Sequence, residues 1–385
     1  MASYTFIPNL ASQVGGNATQ VGWIVSSNAL ALVVSNFVFG QASDRWGRRI
    51  FLIVGLFLAS VTSLAQVLGV TVGSLLVTRV LFGICTGIYQ VPLISYQADS
   101  GGRLGLFSAY GSLGWAIAGI LAGAAAQMGE RWTGLNPLMP YWCTFLASSV
   151  CFFLAFLVSL MLPELPTRTA SGPLFPREVL WRNRRVYVPV FMRHLGAQAI
   201  WAIFPLYLES LGASKLWIGI LHFVNSGSQF IVMQLLDRFR QARTQMQWGI
   251  LLSAVTFFAY GVVHNYLAVI PVQVLLGLSF SLMQVGSLVI LSSDNTEKGA
   301  AIGVHNSAMN LANVLGSLWG GGVTHYGGYG VLMKSSALLA VMGFSLSFPG
   351  AGIHRHRDTE DTENLEIAGT SYAGKLKLQE NSRAE

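Results

Sequence analysis

Gly40-Gln-Ala-Ser-Asp44-Arg45-Trp46-Gly47-Arg48-Arg49 is a polar hairpin between two apolar runs, at about 20–40 and 50–70. Each run has the roughly 20 apolar residues that a helix needs to cross a bilayer. Gly40 lets neighbouring helices approach closely, and Gly47 permits the tight turn back into the apolar phase. Asp44 suits the positive amino end of a neighbouring helix. Arg45, Arg48 and Arg49 can anchor the turn at anionic headgroups, and they can pair with Asp99 at the end of the run at 74–97.

The whole chain has the same character as these flanks. Of its 385 residues 53% are apolar and 10% charged, and its mean hydropathy is +0.55. An ordinary soluble domain carries roughly 25% charged residues. Twelve of the 39 acidic and basic residues fall in 353–385, so the first 352 positions share 27. That is too few to cover a soluble surface, and the expected class is an all-α integral membrane protein. Apolar runs of spanning length occur near 20–40, 50–70, 74–97, 104–126, 140–163, 186–209, 215–236, 246–264, 266–292, 299–322 and 329–351. Cys85, Cys143 and Cys151 lie inside apolar runs with no paired spacing, which points to neither a disulfide framework nor a metal site.

The net charge of +7 reflects orientation in the membrane rather than a nucleic-acid partner. With the 40–49 turn placed in the cytoplasm and the sides alternating, 18 basic residues share its side. Arg131 and Lys215 lie opposite, and Arg79, Arg193 and Lys334 fall within spans. This asymmetry follows the positive-inside rule and puts the carboxy terminus in the cytoplasm. Residues 1–10 lack the basic segment and apolar length of a cleavable signal peptide. The stretch Tyr4-Thr-Phe-Ile-Pro-Asn-Leu10 is apolar but too short to span, and is expected to be the outer end of a truncated first helix.

The hairpin has a second copy. Asp237-Arg238-Phe239-Arg240 aligns with Asp44-Arg45-Trp46-Gly47 at an offset of 193, and Gln273-Val-Leu-Leu-Gly277 aligns with Arg79-Val-Leu-Phe-Gly83 at 194. Two anchors at nearly one shift indicate tandem duplication. The expected units are a bundle at 1–164, a linker at 165–185, a second bundle at 186–352 and a disordered tail at 353–385. The pattern Gly40-x-x-x-Asp44-Arg45-x-Gly47-Arg48-Arg49 resembles the signature loop of the major facilitator superfamily, and the likeness covers essentially residues 1–352. The resemblance implies two pseudo-symmetric helical bundles around a central cavity. It also implies that Asp44 meets the helix beginning near Lys298-Gly299-Ala300. Such a latch would hold the outward-open state and break in the inward-open one, whereas a static anchor would do neither. The second copy lacks both glycines.

Ionisable groups inside spans are costly and therefore functional candidates. Arg79 begins Arg79-x-x-x-Gly83-x-x-x-Gly87, which resembles the family's fourth-helix motif, where the arginine is associated with proton transfer or substrate binding; the alternative is an arginine snorkelling to the headgroups. Arg193 and His194, then Gln198 and Trp201, recur at helical spacing, as a cavity wall or, for Arg193, an interface anchor. His194 is a candidate proton carrier. His222, Asn225 and Gln229 share one face, and Asn306, Asn310 and Asn313 form another stripe. With Asn28, Gln90 and Gln284, these groups either bind substrate or hold helices together. Gly105, Gly111, Gly114, Gly119 and Gly123, with Trp115, resemble the fifth-helix motif of drug/proton antiporters, but Ile117-Ala118-Gly119 lacks its proline. No carboxylate lies within a span away from its ends.

The expected function is secondary active transport of a small molecule by alternating access, driven by a proton gradient without a bound cofactor. Efflux of amphipathic compounds is the first reading and uptake of a sugar, organic anion or other metabolite the second. A non-transporting sensor or inactive paralogue is the alternative of another class. Neither HExxH, Gly-x-Ser-x-Gly nor a Walker loop is present, so an enzyme is not expected. The expected setting is the plasma membrane, as a monomer in the lipid bilayer. Impermeant labelling of cysteines placed at 45–49 and 238–243 should reach both turns from one face of the membrane; labelling from opposite faces would overturn the topology.

Overall fold

A computed structural model describes residues 2–100, 104–165, 177–236, 241–293, 295 and 298–348. Its elements are α1 (Ala2–Thr5), α2 (Ile7–Gln13), α3 (Ala18–Trp46), α4 (Arg48–Ala65), α5 (Val72–Asp99), α6 (Leu104–Gly129) and α7 (Met139–Ser159). After these come α8 (Arg177–Arg182), α9 (Arg184–Trp201), α10 (Phe204–Ser210), α11 (Lys215–Leu235), α12 (Ala242–Tyr260), α13 (Val269–Ser293) and α14 (Lys298–Leu346). Among the described residues the architecture is all helical, as lipid demands: with no water to bond it, backbone must satisfy itself within each segment.

Each apolar run coincides with a helix over most of its described residues, with two differences of detail. The runs at 299–322 and 329–351 are arms of α14, bent at Gly328, where φ is 72° and ψ −179°. The run at 186–209 is broken: α9 ends at Trp201, and α10 restarts with Pro205 in its first turn. Proline has no N–H to give the preceding turn, which explains the interruption. Among the described residues eight helices, counting α14 once, are long and apolar enough to cross a membrane. Among the described residues α9 and α12 do not join that set, since α9 carries Arg184, Arg185, Arg193, His194 and Gln198, and α12 opens on Ala242-Arg-Thr-Gln. The tail and residues 166–176 of the linker lie outside the described residues.

The duplication reappears as matched contacts. Asn28 Nδ2 donates to the Arg79 carbonyl at 2.9 Å, and Asn225 Nδ2 to the Gln273 carbonyl at 3.2 Å. A β-carbon on Gly83 would lie 2.5 Å from the Asn28 carbonyl oxygen, and one on Gly277 2.8 Å from that of Asn225. Arg79 bonds Gln66 in the first half, and the equivalent Gln273 bonds Tyr260 in the second. The α2 and α10 segments match too, each with a proline in its first turn.

Successive helices run antiparallel, so the bundle has an arginine-rich end, at the 40–49 turn, and an opposite end. The halves meet at that opposite end through glycine. A β-carbon on Gly321 of α14 would lie 2.5 Å from the Ala18 carbonyl oxygen of α3, and one on Gly22 2.7 Å from that of Ser317. Between α6 and α11, a β-carbon on Gly219 would lie 2.5 Å from the Gly119 carbonyl oxygen and 2.8 Å from Gly123 Cα. Small residues let backbones approach this closely, and dispersion between them drives association where lipid gives no hydrophobic force. Farther along α3, towards the arginine-rich end, Phe37 and Val38 are exposed, as is Asn306 on α14. The halves approach each other most closely at the glycine-seamed end, which we take as the closed one, although α6 and α11 also touch farther along, where Tyr110 meets Phe230 at 6.3 Å between ring centres. Gly219→Leu should hold the seam apart and lower transport turnover by about tenfold or more, a change of about 1.4 kcal/mol; unchanged turnover in vesicles containing the folded variant would contradict the role of the seam.

Candidate functional site between the helical halves

At the arginine-rich end Gly47 joins α3 to α4 with φ 90° and ψ 142°, a conformation that side-chain-bearing residues rarely adopt. A β-carbon there would also lie 2.7 Å from Glu164 Oε1. The turn sets Arg48 at the start of α4, where its guanidinium forms an ion pair with Asp99 at the end of α5. Arg49 goes elsewhere, Nη2 donating to the Leu160 carbonyl at 2.9 Å beyond α7, and Arg45 is exposed. Of the three arginines expected to reach Asp99, Arg48 does so among the described contacts. Gly40 lies against Val91, to which a β-carbon would come within 3.1 Å. The side chain of Asp44, and so its expected contact with the amino end of the helix that begins near Lys298, lies outside the described residues.

Deeper in the first half, Arg79 is fully buried on α5. Nη1 donates to Gln66 Oε1 at 3.1 Å, and the guanidinium carbon lies 5.3 Å from the Tyr4 ring centre and 5.4 Å from that of Phe82. Nε and Nη2 have no hydrogen-bond partner. Complete burial does not fit an arginine reaching out to headgroups. A charged residue at mid-membrane costs about 3 kcal/mol on insertion scales, and two aromatic faces with one amide offset only part of that. Tyr4 in turn meets Trp115 edge-on at 6.4 Å. Gln90 accepts a bond from Asn36 Nδ2 at 3.2 Å between α5 and α3.

In the second half Arg193 is likewise buried, with Nε donating to Ser253 Oγ at 2.7 Å and the guanidinium held between Phe257 and Phe280 at 5.4 and 5.5 Å. It points into its own bundle, towards α12 and α13. His194, Gln198 and Trp201 occupy a different face of α9. His194 Nε2 lies 3.0 Å from Asn313 Oδ1 and 3.4 Å from Gln198 Nε2. Trp201 meets His222 of α11 at 4.9 Å between ring centres. His222 itself backs onto Gly119 of the first half, where a β-carbon would lie 2.9 Å from His222 Cβ. Trp115 lies one helical turn from Gly119 on α6. Tyr4 with Trp115 in the first half and His222 with Trp201 in the second thus form two aromatic pairs flanking the contact of Gly119 with His222.

The amides divide into two groups. Asn225 is buried and serves packing, bonding the Gln273 carbonyl and accepting from Gln229 Nε2 at 2.8 Å. Asn313 joins His194, while Asn310 is half-buried and Asn306 exposed along the same stripe. Gln284, on α13 one turn from Phe280, has Oε1 buried without a hydrogen-bond partner. Gly119 and Gly123 pack against α11, whereas a β-carbon on Gly111 or Gly114 would meet nothing within 4 Å. Sequence reasoning missed Gln66, Tyr4, Ser253 and Phe280. Only the offset of 194, which pairs Gln66 with Tyr260, held a clue to any of them.

Replacing Arg48 by Gln, or Asp99 by Asn, should slow turnover about three- to tenfold while shifting substrate affinity less than twofold, given roughly 1 kcal/mol for such a pair; steady-state flux set beside equilibrium binding checks this, and wild-type flux in both variants would make the turn a static anchor.

The model of the Major Facilitator Superfamily matches this chain over residues 1–243 and again over 186–368. The chain is 24% identical over 338 residues to multidrug resistance protein 1 of Bacillus subtilis (strain 168), covering 82% of this chain and 83% of that protein. A local likeness of 41% over 71 residues, 18% of this chain and 17% of the relative, is to the hexuronate transporter of the same organism. Among solved structures, a bacterial homologue of the human lysosomal transporter Spinster, in an inward-facing and unoccupied conformation, superposes with a TM-score of 0.70 at 13% identity. The alignment covers 90% of this chain and 92% of that one. Matched along its length and built as a duplicated helical bundle, the chain belongs to the major facilitator superfamily and is a multi-pass membrane transporter, not an enzyme.

Proposed function

We propose that the protein exports small amphipathic compounds by alternating access, in exchange for protons, across the plasma membrane. The observation that carries this reading is the composition of the wall between the halves. Trp115, Trp201, His222 and Tyr4 offer aromatic surface, while Gln198, Asn310 and Asn313 offer hydrogen bonds, and Arg79, 5.3 Å from the Tyr4 ring, lies at the edge as a fixed charge. A substrate with an apolar body and a polar rim fits such a wall, and similarity to a protein named for multidrug resistance supports it. The bundles at 1–164 and 186–352 rock about this site as a monomer. Basic residues assign the arginine-rich end, and with it the carboxy terminus, to the cytosol. The conformation described, sealed at the glycine seam, then receives substrate from inside.

Proton coupling falls to residues other than span carboxylates, since none lies away from the helix ends. His194, bonded through Nε2 and unpartnered at Nδ1, and Arg79, with two free donor atoms, are the groups we assign to it. A second reading, uptake of a sugar, organic anion or other metabolite, draws on Arg79 and Arg193, buried cations to which a carboxylate would be complementary. In everted membrane vesicles, an acid-interior gradient should drive accumulation of a fluorescent amphipathic dye and its collapse should release the dye. His194→Gln should abolish the gradient dependence while leaving dye binding. Accumulation indifferent to the gradient would refute coupling, and accumulation of a labelled hexuronate but of no dye would favour the second reading.

A further inference from the structure

Directly above the glycine seam, Lys215 stands at the first position of α11, behind the capping Ser214. Its Nζ lies 3.3 Å from Glu130 Oε1 and 3.6 Å from Glu209 Oε1, and 5.8 Å from the centre of the Tyr141 ring. Glu209 belongs to α10 of the same half. Glu130 and Tyr141 belong to the other half. Among the described residues, Lys215–Glu130 is the ion pair that joins the two. Glu130 is held in place by Gln127, whose Nε2 donates to Oε2. Beneath it a β-carbon on Gly123 would lie 3.1 Å from the Lys215 carbonyl oxygen, so the lysine sits at the mouth of the seam.

Helix energetics do not explain a lysine here. The amino end of a helix repels a cation, by about 0.3–1 kcal/mol near a surface. Orientation does not explain it either, because basic residues are nearly absent from this end of the bundle, where Arg131 is the other one. Two carboxylates from different halves converging on one ammonium do explain it. The side chains are partly shielded, 17% exposed for Lys215 and 37% for Glu130, which limits screening by solvent.

We infer that Lys215 is the gate-positioning residue of the closed end. Its bond to Glu130 holds the halves together there, and that bond breaks each time the end opens. Glu209, which moves with Lys215, keeps the ammonium paired when Glu130 departs, so opening never strands an isolated cation. This rests on the alternating-access reading above, but its test requires no substrate.

Ser26 is buried on α3 one helical turn from Gly22, which abuts α14, so by helical spacing it lies beside the seam and reports on it. With Cys85, Cys143 and Cys151 replaced by Ala in the full chain, Ser26→Cys is treated with a membrane-impermeant maleimide applied from the closed side. Lys215→Gln and Glu130→Gln should each label about fivefold faster than the parent, equivalent to about 1 kcal/mol in the gate equilibrium. Glu209→Gln should change the rate less, since it removes no contact between halves. The exchange pair Glu130→Lys with Lys215→Glu should return labelling to near the parent rate. Where Lys215→Gln fails to fold, Glu130→Gln carries the same comparison, because the carboxamide keeps the shape. Labelling of both single variants at the parent rate, or an exchange pair that labels as fast as either of them, overturns the inference. Loss of dye flux with the labelling pattern intact would instead count against the export reading alone.

Discussion

Backbone lying against backbone at the glycine seam is the contact on which the rest of the arrangement depends. Lipid offers the two halves no hydrophobic reason to associate, so they must gain from dispersion and from fit. At Gly22 with Gly321, and at Gly219 with Gly119 and Gly123, the approach is closer than any side chain would permit. A seam of that kind is well packed when shut and has few specific bonds to break when opened. His222, which meets Trp201, also abuts Gly119 of the seam, so helices that pack at the seam also carry candidate site residues.

The two buried guanidinium groups show how the protein tolerates charge in an apolar phase. Neither has a carboxylate beside it. Each is placed between aromatic faces and given a single oxygen acceptor, Gln66 Oε1 for Arg79 and Ser253 Oγ for Arg193. Cation–π contact of about 2 kcal/mol when desolvated offsets much of the burial cost without neutralising the charge. The matched contact at Gln273 and Tyr260 performs the same helix-to-helix bridging with no charge at all. The duplicated halves thus keep a common packing contact while the first half alone holds a cation at that position.

Much of the architecture was legible because it rests on composition and local chemistry. The runs, the reversal at Gly47 and the repeat at 193–194 need only length, a missing β-carbon and self-similarity. Side-chain partners were far less legible. In a soluble helix the polar face marks solvent, but in a membrane both the lipid face and the protein face are apolar, so period alone leaves each helix free to rotate. Whether Arg193 faces the cleft or its own bundle turns on that rotation. Gly119 and Gly111 look alike in sequence for the same reason, yet one meets α11 and the other meets nothing. Lys215 and Glu130, distant in sequence, become neighbours only after both bundles are assembled.

The bend at Gly328 joins the two arms of α14 through a single residue in a left-handed conformation. No connecting loop is left over between them. The first arm touches α3 across the seam, and the second packs along α9, where Gly343 abuts Pro189. The first arm abuts α9 as well, through Gly316 and Gly320, so one helix of the second half is gripped by both arms and the seam is tied to it on either side of the corner.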